Sequence, residues 1–240
     1  MRGLSRRAAI VASGTAALLI LGTGMASANT AHARVPDLRN ARFFAGYQAR
    51  VTAGSATSSA AHFKVPKLSC TSARRAITPS AGVQANNFRT VSAAFLFVGC
   101  SHGMAKYFPG LVINGHEVDY TATHFSAGDL IAVFTKVTTT RTRVRITDVT
   151  SGVTKKRAGP GARAGAAFVG DSAWVTRARI LLGVPNFGKL TFTHCAIDGS
   201  ALGHRHPARF RRVNRRGIVQ IATGALSSSG TVFSTIYKHS

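Results

Sequence analysis

From about residue 43 onward the chain consists of short runs rich in Val, Ile, Thr and Phe, cut apart by Gly, Ser and Pro. "LIAVFTKV", "TRVRITDVT", "KLTFTHCAI", "GIVQIATG" and "TVFSTIYK" each have strand length and strand composition. In "TRVRITDV", Val144 and Ile146 fall on one face and Arg143, Arg145 and Thr147 on the other, the period-two alternation of a half-buried strand. "SAGD", "TSGV", "GPGARAG", "VPNFG" and "SSSG" supply turns between the runs. "GDSAWVTRARILLGVPNFGKLTFTHC", Gly170 to Cys195, reads as two strands around a turn. No run beyond the N-terminal segment carries the period of an amphipathic helix. Many short strands without helices between them predict an all-β domain, a sandwich of two antiparallel sheets. Two runs read as loops: "KKRAGPGARAG" and the arginine-rich "GHRHPARFRRVNRRG", Gly203 to Gly217.

The first 33 residues stand apart from this pattern. "MRGLSRR" is a positive start, "AAIVASGTAALLILGTGM" an apolar run, and "ASA" or "AHA" a small-residue cleavage site after Ala28 or Ala33. This is the layout of a secretory signal peptide. Residues 34–43 then form a basic leader, and the domain proper runs over 44–240. The expectation is a secreted, extracellular protein with no transmembrane anchor, since no later run is long and apolar enough to span a bilayer.

Charge narrows the range of partners. Lys and Arg number 31 against 7 Asp and Glu, a formal net charge of +24, and loss of Arg2, Arg6 and Arg7 with the signal leaves +21. Such a field attracts polyanions, including nucleic acid, anionic lipid and acidic wall polymer. Arg205, Arg209, Arg211, Arg212, Arg215 and Arg216 crowd into one run and are the candidate polyanion contact. Scarcity of acid also limits chemistry. Glu117 and Asp119 in "HEVDYTA" share a strand face, but a glycosidase-type E-x-D-x-x-E strand would need an acid where Ala122 stands. The histidines do not assemble into a set with zinc-like spacing, and no glycine-rich loop precedes a helix, so no metal and no cofactor are expected. Three cysteines, Cys70, Cys100 and Cys195, allow one intrachain bridge and leave one thiol over.

Read in order, several motifs resemble the glutamic peptidases (eqolisins), especially their actinobacterial secreted branch. "FFAGYQA" resembles an opening GYxA strand and "FKVPKLSCTSA" a W-x-V-P-x-x-x-C segment. "AGVQANNFRTV" through Cys100 resembles a GxDGxxxxTVEQTG stretch. "FSAGDLIAV", "VRITDVTSG" and "VPNFGKLTFTHCAIDG" are similar to three further family strands, and "ALSSSGTVFSTIYKHS" to the last one. The resemblance implies a concanavalin A-like, jelly-roll sandwich with a concave substrate groove, and a Cys70–Cys100 disulfide.

It also implies a chemistry. Members of the family use a glutamate as general base toward water and a glutamine amide to steady the oxyanion. At the matching places this sequence has Trp174 for the glutamate and Ala93 for the glutamine, and Gly110 and Val112 where a further tryptophan and acid are expected. A methyl group donates no hydrogen bond and an indole accepts no proton from water. The sequence therefore predicts a glutamic-peptidase-like pseudoenzyme without a catalytic pair, binding an extracellular polyanion, a cell-wall polymer or a peptide in a remnant groove. The alternative is an acid endopeptidase with relocated groups, for which Glu117 and Gln84 are the substitutes. Trp174 itself reads either as a groove residue or as core filling the vacated site.

Overall fold

The alternation seen in the sequence is realised as pleat: Arg141, Arg143 and Arg145 are exposed while Thr142, Val144 and Ile146 between them are buried. The computed structural model describes residues 38–85, 91–173 and 181–239, all within one compact unit, Val35–Ser240. Its strands are β1 (Leu38–Ala41), β2 (Phe44–Arg50), β3 (Thr57–Lys64), β4 (Arg75–Ala85), β5 (Val91–Ser101), β6 (Met104–Ile113), β7 (His116–Asp119) and β8 (Leu130–Val137). They continue as β9 (Arg141–Asp148), β10 (Thr154–Pro160), β11 (Ala164–Ala173), β12 (Lys189–Ile197) and β13 (Ser200–Ala201). A 3-10 turn at Leu202–Arg205 precedes β14 (Ala208–Val213), β15 (Val219–Thr223) and β16 (Phe233–Tyr237).

Hydrogen-bonded neighbours run β10-β9-β8-β3-β12-β16-β15-β14-β2-β11-β4-β5-β6-β7. The ribbon doubles over between β14 and β15, where the register shifts at Arg212/Val213. A front sheet, β7 to β14 on that path, then lies against a back sheet, β15 to β10, with β4 and β5 over β8 and β6 over β9. This is the predicted antiparallel sandwich. Its filling is apolar, mostly Ala, Val, Ile and Leu, with an aromatic cluster among them: Phe192 stacks on Phe233 at 4.9 Å, and Phe63 and Tyr47 meet these rings edge-on at 5.6 and 4.9 Å. The disulfide joins Cys70 to Cys100.

Within the basic leader, β1 pairs in parallel with β14. Two expectations need correction. "KKRAGP" is not a loop but β10, the edge strand of the back sheet, and an edge strand tolerates charge and glycine because only one of its sides must pair. "ARFRRV" is likewise a strand, β14, held between β2, β1 and β15.

Polar pegs cross the apolar gap. The hydroxyl of Thr135 on β8 donates to the carbonyl of Ala81 at 2.9 Å and accepts from the amide of Ala94 at 3.2 Å. Ser59 on β3 donates to the carbonyl of Phe168 at 2.7 Å. Thr235 on β16 donates to the carboxyl of Asp171 on β11. All three hydroxyl residues are fully buried. Replacing Thr135 by Val keeps its shape and orphans two backbone groups. Urea unfolding of Thr135→Val is expected to show a loss of roughly 2–4 kcal/mol with an unchanged denaturant slope.

Candidate functional site

The outward face of the front sheet carries the positions singled out in the sequence. Registers place Glu117, Val112, Ala93, Gly82, Phe168 and Gln48 in one row across β7, β6, β5, β4, β11 and β2. The next row along holds Asp119, Gly110, Phe95, Ser80, Gly170 and Gly46. Ala93 is therefore at the middle of this face, 5% exposed, between the bare backbone of Gly82 and the side chain of Val112.

Two glycines shape the surface through what they lack. A Cβ on Gly82 would stand 2.4 Å from the ring of Phe168, and one on Gly110 would stand 2.1 Å from the ring of Phe95. Each ring lies flat where a side chain would otherwise rise, and both are almost wholly buried. Phe97 and Phe108 stack beside them at 4.4 Å, and Phe44 meets Phe168 edge-on at 5.6 Å. The middle of the face is consequently apolar and aromatic.

Polar groups stand toward its margins. Gln48 donates to the side-chain oxygen of Gln84 at 2.9 Å. Glu117 lies on β7, three strand spacings from β4 and roughly 14 Å away, with Gln84 one further row along. A general base and an oxyanion donor must both reach the same reacting centre at hydrogen-bond distance, and this register does not bring Gln84 and Glu117 together. Trp174 lies outside the described residues.

Asp171, the one carboxylate of the Gly170–Cys195 stretch, faces the other way. It projects into the sandwich, fully buried, with Thr235 hydrogen-bonded to one oxygen and the other oxygen without a hydrogen-bond partner. Burial pushes its carboxyl up to about 7, against smaller lowering effects of Thr235 and the nearby Arg212 guanidinium. Arg212, 1% exposed, is correspondingly pulled down to about 10 by burial and donates to the carbonyl of Leu182 at 3.0 Å.

The arginine run is thereby divided. Arg212 is interior and offers no charge to a ligand. Arg205 pairs with Asp198 at 3.6 Å, Arg211 donates to Asn40 at 2.8 Å, and Arg209 is half-buried on β14. Arg215 and Arg216 are exposed at the β14–β15 turn. Among the described residues no three His, Cys, Asp or Glu side chains converge as metal ligands. His62 and His194, unrelated by sequence spacing, come together with ring centroids 4.7 Å apart, and burial with the neighbouring ring holds His62 below the usual imidazole range. Sequence reading missed the pair because a bulge in β12 between Thr193 and Ala196 sets its register. Cys195 is a buried free thiol pushed up to about 12.

The profile of the Peptidase A4 family matches residues 42–233, most of the chain. This chain belongs to the Peptidase A4 family. Among solved structures, a Peptidase A4-type sandwich recurs in scytalido-glutamic peptidase bound to a transition state analog inhibitor. That structure matches with a TM-score of 0.67 and 18% identity, over 82% of this chain and 98% of that one. SCP-B, an eqolisin in complex with the tripeptide Ala-Ile-His, matches with a TM-score of 0.64 and 16% identity over the same shares. Aspergilloglutamic peptidase from Aspergillus niger matches with a TM-score of 0.57 and 17% identity, over 68% of this chain and 99% of that one. At such identities the likeness establishes the fold. No curated protein matches the chain in sequence. Among the described residues no helix is long and apolar enough to cross a membrane.

The Asp171 carboxyl gives this Peptidase A4 sandwich a signed pH response. Its native form keeps a proton that an unfolded chain releases near the ordinary value of 3.8. The resulting stabilisation is complete below about pH 4, falls as pH climbs through about 7, and is flat above. Unfolding free energies from urea titrations across that window are expected to fall with rising pH by an amount on the order of a few kcal/mol. In Asp171→Asn most of that slope is expected to vanish.

Proposed function

We propose that this Peptidase A4 member is a secreted, non-hydrolysing binding domain that holds an extended or anionic polymer outside the cell. The observation that carries the reading is the setting of Ala93, in register with Gly82 and Val112 and flanked by the flat rings of Phe95 and Phe168. The family resemblance assigns the oxyanion-stabilising amide to that position and the base to Trp174. An apolar floor offers neither a proton acceptor nor a donor aimed at developing charge, and loss of one oxyanion donor alone commonly costs about a hundred- to thousandfold in rate.

Binding is compatible with the same floor. The related folds hold a tripeptide in one structure and a transition state analog in another, and a concave sheet lined by Phe97, Phe108 and Phe44 suits the apolar side chains of an extended peptide. Phenylalanine faces contribute apolar area and ring contacts without needing a hydrogen-bond partner.

Incubation of the mature protein with labelled, denatured casein from about pH 2 to 7 is expected to leave the casein intact across the acid range where carboxylate catalysis operates. Clean digestion by pure protein overturns the reading. Digestion that disappears in Glu117→Gln instead establishes an acid endopeptidase with relocated groups, whereas the binding role predicts no difference between parent and variant.

A further inference from the structure

The back sheet turns a different face to solvent. On β9 the outward residues are Arg141, Arg143 and Arg145. Register puts Lys136 of β8 directly opposite Arg143, and Lys156 of β10 directly opposite Arg145. All five are exposed. Phe134 sits across from Arg145 on the other side, with the guanidinium carbon 5.6 Å from its ring centre. Four of these cations, Arg141, Arg143, Arg145 and Lys156, line a cavity of about 710 Å³ with Phe134.

Within β8, β9 and β10 no exposed carboxylate offsets these charges. Asp148 is the sole acid in β8, β9 and β10, and it is 2% exposed, its oxygens occupied by the amide of Thr150 and the hydroxyl of Ser151. Like charges directly opposite each other on paired strands destabilise a sheet. Here two such pairs stand in adjacent rows. The arrangement is unfavourable in the free protein and is relieved when a chain of negative charges lies across it.

Geometry selects among anions. Successive outward positions on β9 are roughly 6.8 Å apart, so the three arginines are set in line along the strand over roughly 14 Å. Each guanidinium can grip a phosphate with two parallel hydrogen bonds, which a lysine ammonium does not do. The Phe134 ring with Arg145 adds a planar surface of the kind on which an unpaired base stacks. A row this short and straight follows an extended single strand. We propose that the outward face of β8, β9 and β10 is a docking surface for single-stranded nucleic acid, gripped chiefly through its phosphates. The proposal rests on the binding role assigned above and not on the loss of hydrolysis, so digestion of casein would remove the latter and leave this surface standing.

Anisotropy of a labelled oligothymidylate tests it. Binding to the parent is expected to weaken steeply between about 50 and 200 mM salt. Arg141→Gln/Arg143→Gln/Arg145→Gln is expected to bind on the order of 30-fold more weakly at the lower salt, with a salt slope shallower by about 2. Arg211→Gln/Arg215→Gln/Arg216→Gln removes the same charge elsewhere and is expected to lose less than about threefold. Melting of the β9 variant should be no lower than that of the parent, since repulsion has been removed. Equal losses in the two triple variants would mean that net charge alone draws the strand, and would overturn the proposal. An abasic phosphodiester chain of equal length that binds as tightly as oligothymidylate, with Phe134→Leu indistinguishable from parent, would replace nucleic acid by a base-free polymer and overturn it as well.

Discussion

Three hydroxyl groups hold the front sheet from behind, and the shape of its outward face follows from where they attach. Thr135 fixes the backbone at Ala81 and Ala94, the neighbours of Gly82 and Ala93, and Ser59 fixes the carbonyl of Phe168. Strand pleat guarantees that a residue pinned on one side presents its neighbours on the other. The flat rings on the outward face are therefore located by polar contacts buried between the sheets. A purely apolar interlayer would bury as much area, yet it would leave the two sheets freer to slide. Directional bonds between buried groups are costly to leave unmade, and that cost is what sets the alignment.

The outward face owes its shallow relief to pairs of residues on neighbouring strands. Glycine and phenylalanine trade volume across strands: Gly82 receives the ring of Phe168 and Gly110 that of Phe95. The aromatic mass lies down on the sheet instead of standing off it, so the surface is both shallow and apolar. Scytalido-glutamic peptidase and SCP-B share the architecture at under one-fifth identity, which is the expected outcome when a fold is specified by alternation and turn placement and function by a few side chains.

Much of this architecture was legible in the residues. The alternation in β9, the turns around "TSGV" and "VPNFG", and the family motifs gave the sandwich, and the resemblance gave the Cys70–Cys100 bridge. What misled was composition. "KKRAGP" and "ARFRRV" look like solvated loops because charge and glycine usually mark them, whereas an edge position in one case and three neighbouring strands in the other make them β. Local pattern carries no information on partner strands. For the same reason the arginine run could not be divided in advance into an interior Arg212 and surface neighbours, and the cationic rows of β8, β9 and β10 were invisible, since they arise from register between strands. Nor does the sequence say that Asp171 points inward. Parity along β11 assigns it to the interior only once Phe168 is placed on the groove side.

The single free thiol bears on how the molecule matures. An unfolded chain with three cysteines can close three different bridges, and only Cys70–Cys100 is native. Exchange between them requires an attacking thiolate. Once β12 is inserted between β3 and β16, Cys195 is sealed in the interior with its proton held far above neutral pH. Closing the sandwich thus withdraws from the folded molecule the one free thiol able to reshuffle the bridge.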